Sequence, residues 1–142
     1  MSPDELRERF LGEIDRRGTD DRYIDGIEER ELLQIAVQHG YAADAARALL
    51  TDACRARGYV VEAAVVALVR ERLRLLQGRI NQAAFEHIVG DAALATRTTT
   101  RTDRDVRRLV LTTMGDDGNL SVKRGLFRDW YARQRREAGL PK

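Results

Sequence analysis

The chain has 142 residues, of which 43% are apolar and 34% charged, and it contains only two prolines. This length allows one domain with a substantial core, and the composition is far from that of a disordered chain. A single cysteine, Cys54, excludes an internal disulfide and fits a cytoplasmic protein. No apolar run reaches the roughly 18 residues that a membrane span needs, and the acidic N-terminus is unlike a signal peptide.

Charge is distributed unevenly along the chain. Residues 1–96 carry 13 Arg and Lys against 17 Asp and Glu, whereas residues 97–142 carry 12 against 6. Such asymmetry indicates either an anionic partner or two oppositely charged surfaces that attract each other, within one fold or between copies.

A clear helix start marks the beginning of the chain. Ser2 is a capping residue, Pro3 suits the first helical position and Glu5 follows three residues after the cap. Helix one is therefore predicted to run to about Arg17. Its apolar residues fall on one face and predict the buried side, which is Leu6, Phe10, Leu11 and Ile14.

Two further helices follow with short connections. Asp25 and Glu28 form the same capping pattern at the start of helix two, and Gly40 is a typical C-terminal stop. Helix three is predicted over residues 42–57, where alanine is frequent, and Gly58 follows it. The predicted buried positions are Leu32, Leu33, Ala36, Val37, Ala46, Leu49, Leu50 and Ala53.

The segment from Val60 to Gln77 begins with β-branched valines and is apolar on both sides in its first half, which suits a buried strand as well as a helix. It has no turn residue and is longer than the usual strand, so its length favours a helix. We predict that this helix is central, is buried nearly all round in its first half, and has the other helices packed on it.

Helix five is predicted to begin after Asn81, which is a capping residue. Its predicted apolar face is Phe85, Ile88, Val89 and Ala92, and Ile80 is predicted to pack on Phe85 across the cap. The threonine-rich residues 96–102 have no periodicity and predict a surface loop, a candidate mobile segment.

Helix six is predicted to begin at Thr102 or Asp103, and the strongest turn signal in the chain follows it at residues 115–119. Ser121 is the predicted cap of helix seven, and residues 138–142 resemble a frayed end. The predicted buried positions are Val106, Leu109, Val110, Met114, Val122, Leu126, Phe127 and Trp130. Together the elements predict an all-α fold, a single domain over residues 1–142 with six to seven helices around the central apolar helix at about 60–77.

The acidic junction before helix two resembles the second half of an EF-hand loop. With Ile24 as the anchor, Glu28 takes the bidentate position and Asp21 an earlier ligand position, but Arg17 and Thr19 stand where two further acids belong. A hard cation needs about six or more oxygen ligands. Helix capping and exposure to solvent are therefore the favoured interpretation of these acids, and no cofactor is predicted.

A family resemblance rests on the same stretch. An acidic turn, an isoleucine, an acid and a helix with a first-turn glutamate, followed by Leu-Leu and a later Gly-Tyr, resemble the tellurite-resistance TerB-like family. The match covers residues 20–41 and, in a more degenerate form, residues 77–89. The resemblance implies a helical bundle used in bacterial stress-response or conflict systems.

The same resemblance implies that acidic residues of this family are candidates for metal binding. Carried over by position, they are Asp21, Asp25 and Glu28, whereas Gln77 and Ala84 replace the expected acids in the second copy of the pattern.

Helices six and seven, with the glycine-rich turn between them, resemble a helix-turn-helix. Arg124, Arg128, Tyr131 and Arg135 form one stripe at helical spacing, and such side chains can contact phosphates and stack on bases. The turn is longer than the about three or four residues usual for that motif. We therefore predict that the stripe binds a protein partner, and the alternative is a nucleic-acid-binding role for the helix at 121–136.

Catalysis has little support in the sequence. His39 and His87 lack metal-ligand spacing, and there is no glycine-rich phosphate loop or nucleophile motif. His87 and Asp91 are one helical turn apart and can pair. Cys54 lies near two arginines, which favours a lowered pKa, but a lone cysteine is more commonly a buried packing residue. The sequence thus predicts a non-enzymatic adaptor module of the bacterial cytoplasm, whose partner is another protein or a second copy of itself.

Overall fold

The computed structural model of the chain describes residues 2–77, 79–116 and 127–141, and over these residues the predicted all-α class is confirmed. Two short strands, β1 (Tyr23–Ile24) and β2 (Val60–Val61), pair in parallel. The helices in the described part are α1 (Pro3–Gly18), α2 (Gly26–Gln38), α3 (Ala43–Arg57), α4 (Glu62–Leu75), α5 (Gln82–Ala95), α6 (Asp103–Asp116) and α7 (Phe127–Glu137).

The chain divides into two compact units. The N-terminal unit comprises residues 1–63 and 98–100, and the C-terminal unit comprises residues 64–97 and 101–142. The charge follows this division, because the N-terminal unit has 9 Arg against 14 Asp and Glu, and the C-terminal unit has 16 Arg and Lys against 9. Their formal net charges are therefore −5 and +7. A single domain over residues 1–142 stays a prediction.

The predicted helix caps at Ser2, Asp25 and Asn81 are present. Ser2 Oγ accepts a hydrogen bond from the amide of Glu5 at 3.2 Å. Asp25 Oδ1 accepts from the amide of Glu28 at 2.8 Å, and Glu28 Oε1 accepts from the amide of Asp25 at 3.1 Å, which completes a capping box. Asn81 caps α5 through the amide three residues further on, at 2.8 Å.

One face of each of the first three helices, together with Ile24 of β1, forms the core of the N-terminal unit. Its buried members are Phe10, Ile14, Ile24, Leu32, Ala36, Ala46, Leu50, Ala53 and Cys54. The prediction that Val37 is buried is wrong, since this side chain is 50% exposed. Successive helical residues are rotated by about 100°, so position 37 is turned away from the face that buries Leu32 and Ala36.

The valine-rich segment differs from the prediction in two respects. Val60 and Val61 form β2, hydrogen-bonded to β1, and the helix begins only at Glu62. Extended backbone suits β-branched side chains, and β1 lies beside this segment as a strand with which it can pair. The predicted all-round burial is wrong, because Ala63, Ala64 and Ala67 are exposed and burial is confined to one stripe, Val65, Val69 and Leu73.

In the C-terminal unit, α5, α6 and α7 pack around Phe85. Its ring centroid lies 5.4 Å from that of Trp130 on α7, and the guanidinium carbon of Arg107 on α6 lies 5.9 Å from the Phe85 centroid. The predicted apolar face of helix five is confirmed, since Phe85, Ile88, Val89 and Ala92 are buried. Ile80 is also buried, and its packing on Phe85 stays a prediction.

The connections agree only in part with the sequence-based expectations. Residues 96–102 form a non-helical connection as predicted, although Thr96 is buried. Helix α7 ends in a C-terminal cap, with Ala138 buried and the Leu140 amide donating to the Arg135 carbonyl at 2.8 Å. Fraying of residues 138–142 stays a prediction. Most of the predicted turn at 115–119, and the predicted cap Ser121, lie outside the described residues.

None of the helices described combines the length and the apolar composition needed to cross a membrane.

Candidate partner-binding surface

The predicted partner-binding stripe is described in its C-terminal half. Arg124 lies outside the described residues, and Arg128 is in the first turn of α7 but its side chain is outside the described part. Tyr131 and Arg135 are half-buried and touch each other: Arg135 Nη1 donates to Tyr131 Oη at 3.3 Å, and the guanidinium lies 5.7 Å from the ring centroid. Arg135 Nε also donates to the carbonyl of Pro141 at 2.8 Å. Two donor groups of Arg135, Nε and Nη1, are thus engaged within the unit.

The burial pattern of α7 explains why this stripe is not the most exposed one. Trp130, Gln134 and Ala138 are buried at intervals of four residues, and Tyr131 and Arg135 lie about 100° further round the helix. Arg133 and Arg136 are exposed and form no ion pair with any residue that the structure describes. The sequence-based stripe missed both, although their offset from the Trp130 face was available to find them.

Helix α6 also carries arginines, of which one forms ion pairs and two do not. Arg107 binds Glu86 through two hydrogen bonds of 2.7 and 2.8 Å and reaches Asp103 at 2.7 Å. The hydrogen bond from Arg107 lowers the pKa of Glu86. Arg104 and Arg108, in contrast, are exposed and without an ion pair among the described residues. We call Arg104, Arg108, Arg133 and Arg136 the exposed arginines of α6 and α7.

The candidate metal ligands of the N-terminal unit serve backbone amides. Asp21 Oδ1 accepts from the Tyr23 amide at 3.1 Å, and Asp25 and Glu28 form the capping box of α2. Glu62 Oε2 joins them by accepting from the amide of the first residue of α2 at 2.9 Å. Within the described ranges, no group of three or more His, Cys, Asp or Glu is arranged to hold a metal ion. Glu62 was missed because the contact spans 36 residues of chain.

Titration of Glu28 is expected to have a measurable effect on stability. Its burial, together with the charges of Asp25 and Asp21, raises the pKa of Glu28 above its ordinary value of 4.5, although the hydrogen bond from the Asp25 amide opposes this. The folded state therefore binds more protons than the unfolded state from about 4.5 upward, and stability falls as pH rises through this window. Glu28→Gln keeps an oxygen to accept from Asp25 but removes the titrating group.

We accordingly expect Glu28→Gln to gain stability relative to the unmodified protein as pH rises above 4.5 through the Glu28 transition. Urea unfolding monitored by circular dichroism at a series of pH values measures the difference. Glu31→Gln, on the exposed side of α2, controls for the loss of one charge. A stability difference between Glu28→Gln and the unmodified protein that shrinks with pH would contradict the assignment.

The other candidates for chemistry do not form a reactive cluster. Cys54 is a core residue, and burial raises the pKa of its thiol to about 11, so the alternative of a lowered pKa is wrong. His39 is exposed at the C-terminal cap of α2. His87 is exposed on α5, and Asp91, its partner by spacing alone, instead accepts a hydrogen bond from Arg72 Nε at 3.1 Å.

Similarity to known proteins does not test these functional assignments. The resemblance to the TerB-like family stays a prediction, and so does the helix-turn-helix interpretation, whose turn lies mostly outside the described residues. Comparisons of the chain with protein-family models, with curated proteins and with solved structures found no match.

Proposed function

We propose that the chain is a non-enzymatic protein-interaction module that binds an acidic protein surface through the exposed arginines of α6 and α7. The observation that carries the proposal is the combination of a net charge of +7 on this unit with exposed guanidinium groups that no described carboxylate neutralises. The resemblance to the TerB-like family supports an adaptor role in a bacterial stress-response or defence system, in the cytoplasm.

Arginine is well suited to this role. Its planar guanidinium presents donors that match a carboxylate in a bidentate way, and it is less strongly hydrated than an ammonium group. An arginine that already has an internal carboxylate partner, such as Arg107, would have to break that pair to bind another. Arg133 and Arg136 have no such cost among the described contacts, so they are the first residues assigned to the partner.

A second copy of the chain is the first candidate partner. The N-terminal unit carries a net charge of −5, opposite to that of the C-terminal unit, so two copies have complementary charges to offer each other. Many of its acids are exposed and have no ion pair in the described part of the chain: Asp4, Glu5, Glu8, Asp20, Glu31, Asp44 and Asp52.

Charge reversal of Arg133 and Arg136 to glutamate is the direct test. We expect the double variant to lose salt-sensitive self-association in sedimentation experiments and to lose binding to polyglutamate, used as a generic acidic polypeptide, because attraction becomes repulsion. Circular dichroism should be unchanged, since both side chains are exposed.

The matched control reverses Arg70 and Arg79, which are also exposed arginines of the C-terminal unit without a described ion pair. It changes the net charge by the same amount and should retain most of the binding. Equal losses in both double variants would show that only net charge matters and would overturn the assignment to α7. No association of the unmodified protein with itself or with polyglutamate at low salt would overturn the proposal.

The same variants separate the alternative, a nucleic-acid-binding helix at 121–136. Gel-shift titrations with random duplex DNA and single-stranded RNA over a salt series measure the number of phosphate contacts, because affinity falls steeply with salt when several are made. Steep salt-dependent binding that Arg133→Glu and Arg136→Glu abolish, without any protein association, would favour that alternative over the protein partner.

A further inference from the structure

A cavity with a volume of about 220 Å³ opens between α6 and α7 in the C-terminal unit. The start of α6 and the C-terminal end of α7, with the residue that follows it, line the cavity. The lining residues are Asp103, Arg104, Arg107, Gln134, Glu137 and Ala138.

Gln134 is a buried polar residue whose side-chain Nε2 can still donate hydrogen bonds. It is 7% exposed, and its Oε1 lies 3.5 Å from Arg107 Nη1, at the outer limit of a hydrogen bond. Its Nε2 group donates no hydrogen bond to any residue that the structure describes. Because Nε2 has no partner there and is not a fully buried atom, it is accessible to water and to an acceptor group of a ligand in the cavity.

The charges around the cavity are of two kinds. Arg107 is neutralised by Glu86 and Asp103, with which it forms hydrogen-bonded ion pairs. Arg104 and Glu137, one on each helix, have no ion pair within the described residues. The lining thus offers one uncompensated cation and one uncompensated anion.

The guanidinium of Arg104 lies beside the end of α7. Gly139, with φ of +77°, terminates the helix in a left-handed conformation. Arg104 Nη2 lies 2.6 Å from the point that a Cβ atom at position 139 would occupy, so the guanidinium fits there only because the residue is glycine. Its cationic end therefore lies near the C-terminus of α7, where the helix dipole favours positive charge.

We propose that this cavity binds a zwitterionic α-amino acid, with its carboxylate on Arg104 and Gln134 Nε2 and its ammonium group on Glu137. The two arginines and two acids of the lining have no net charge, so a ligand that carries one charge of each sign fits better than a phosphate dianion. A water molecule takes about 30 Å³ in the liquid, so the cavity has room for a small or medium-sized amino acid. The proposal shares Arg104 with the partner-binding surface, but Arg133 and Arg136, the first residues assigned to the partner, do not line the cavity.

Titration of the ¹⁵N-labelled protein with each standard amino acid in turn, followed by backbone amide shifts, tests the proposal. At least one amino acid is expected to shift the amides of Arg104, Arg107 and Gln134. Arg104→Gln should weaken this binding by about tenfold or more, because a charged hydrogen bond is lost. Arg108→Gln, an exposed neighbour on α6 that does not line the cavity, should bind like the unmodified protein.

Derivatives of the amino acid that binds best examine each end of the ligand. The N-acetyl form lacks the ammonium group and the methyl ester lacks the carboxylate, and both should bind more weakly. An N-acetyl form that binds equally well would overturn the zwitterion assignment in favour of a carboxylate-only site, such as one for a peptide C-terminus. Absence of any shift at these amides, or equal binding by Arg104→Gln, would overturn the cavity as a site. The Arg133 and Arg136 double variant should bind the amino acid normally, so the two proposals fail separately.

Discussion

Phe85→Ala is expected to lower the free energy of unfolding by about 3–5 kcal/mol. The Phe85 side chain has 0% exposure and contacts the Trp130 ring, with a centroid separation of 5.4 Å. Truncation removes apolar burial and leaves a cavity that neighbours on three helices cannot easily fill. Urea unfolding measures the loss, and Leu94→Ala on the same helix is the control, because Leu94 is 61% exposed. A cost for Phe85→Ala no larger than for Leu94→Ala would contradict the packing.

The same experiment examines whether the two units unfold together. The single tryptophan, Trp130, reports on the C-terminal unit by fluorescence, whereas circular dichroism reports on helices in both units. Coincident transitions of both probes, in the unmodified protein and in Phe85→Ala, are expected for the predicted single domain. A fluorescence transition that moves to lower urea while part of the helical signal persists would show two separately unfolding units.

Gly18→Ala is expected to lower the free energy of unfolding by about 1–3 kcal/mol, as overpacking does elsewhere. A Cβ atom at this last position of α1 would lie 2.5 Å from Tyr59 Cδ2, closer than any real contact. The ring cannot easily move, because Tyr59 Oη donates a hydrogen bond to Asp15 Oδ1 at 2.9 Å. Asp15 Oδ1 is itself held by a second hydrogen bond, from Arg57 Nε at 2.6 Å. Urea or thermal unfolding followed by circular dichroism measures the cost.

A second glycine of α1 supplies the matched control. At Gly12 no atom lies within 4 Å of the point that a Cβ atom would occupy, so Gly12→Ala should stabilise the protein by about 0.5–1 kcal/mol through helix propensity alone. In a Tyr59→Ala background, Gly18→Ala should lose most of its cost, because the clashing ring is gone. Stabilisation by Gly18→Ala in the unmodified chain would contradict the contact between Gly18 and Tyr59.

Local signals were sufficient for the helices and their caps. The capping box of Asp25 and Glu28 and the amide cap of Asn81 involve residues three apart, so the pattern itself contains both partners. The same holds for the apolar face of α5, where one buried stripe repeats with the helical period. The charge asymmetry was also visible in composition, and the division into units sharpened it.

Contacts between distant residues could not be predicted in this way. Val60 and Val61 leave the helix because β1, more than thirty residues earlier in the chain, offers backbone hydrogen bonds, as the register of Tyr23 with Val60 shows. Helical periodicity correctly placed Tyr131 and Arg135 on one stripe. It could not predict that the two side chains contact each other, or that Arg135 donates a hydrogen bond to the carbonyl of Pro141.

The sequence by itself determined the helical class, most helix ends and the opposite charges of the two parts of the chain, because periodicity, capping and composition are properties of neighbouring residues. Tertiary structure alone decided that Glu62 caps α2, that Tyr59 covers Gly18, and that Arg107 is neutralised while Arg104 is not. These outcomes depend on which side chains meet across the fold, and the free energy of each contact exists only once the helices have packed.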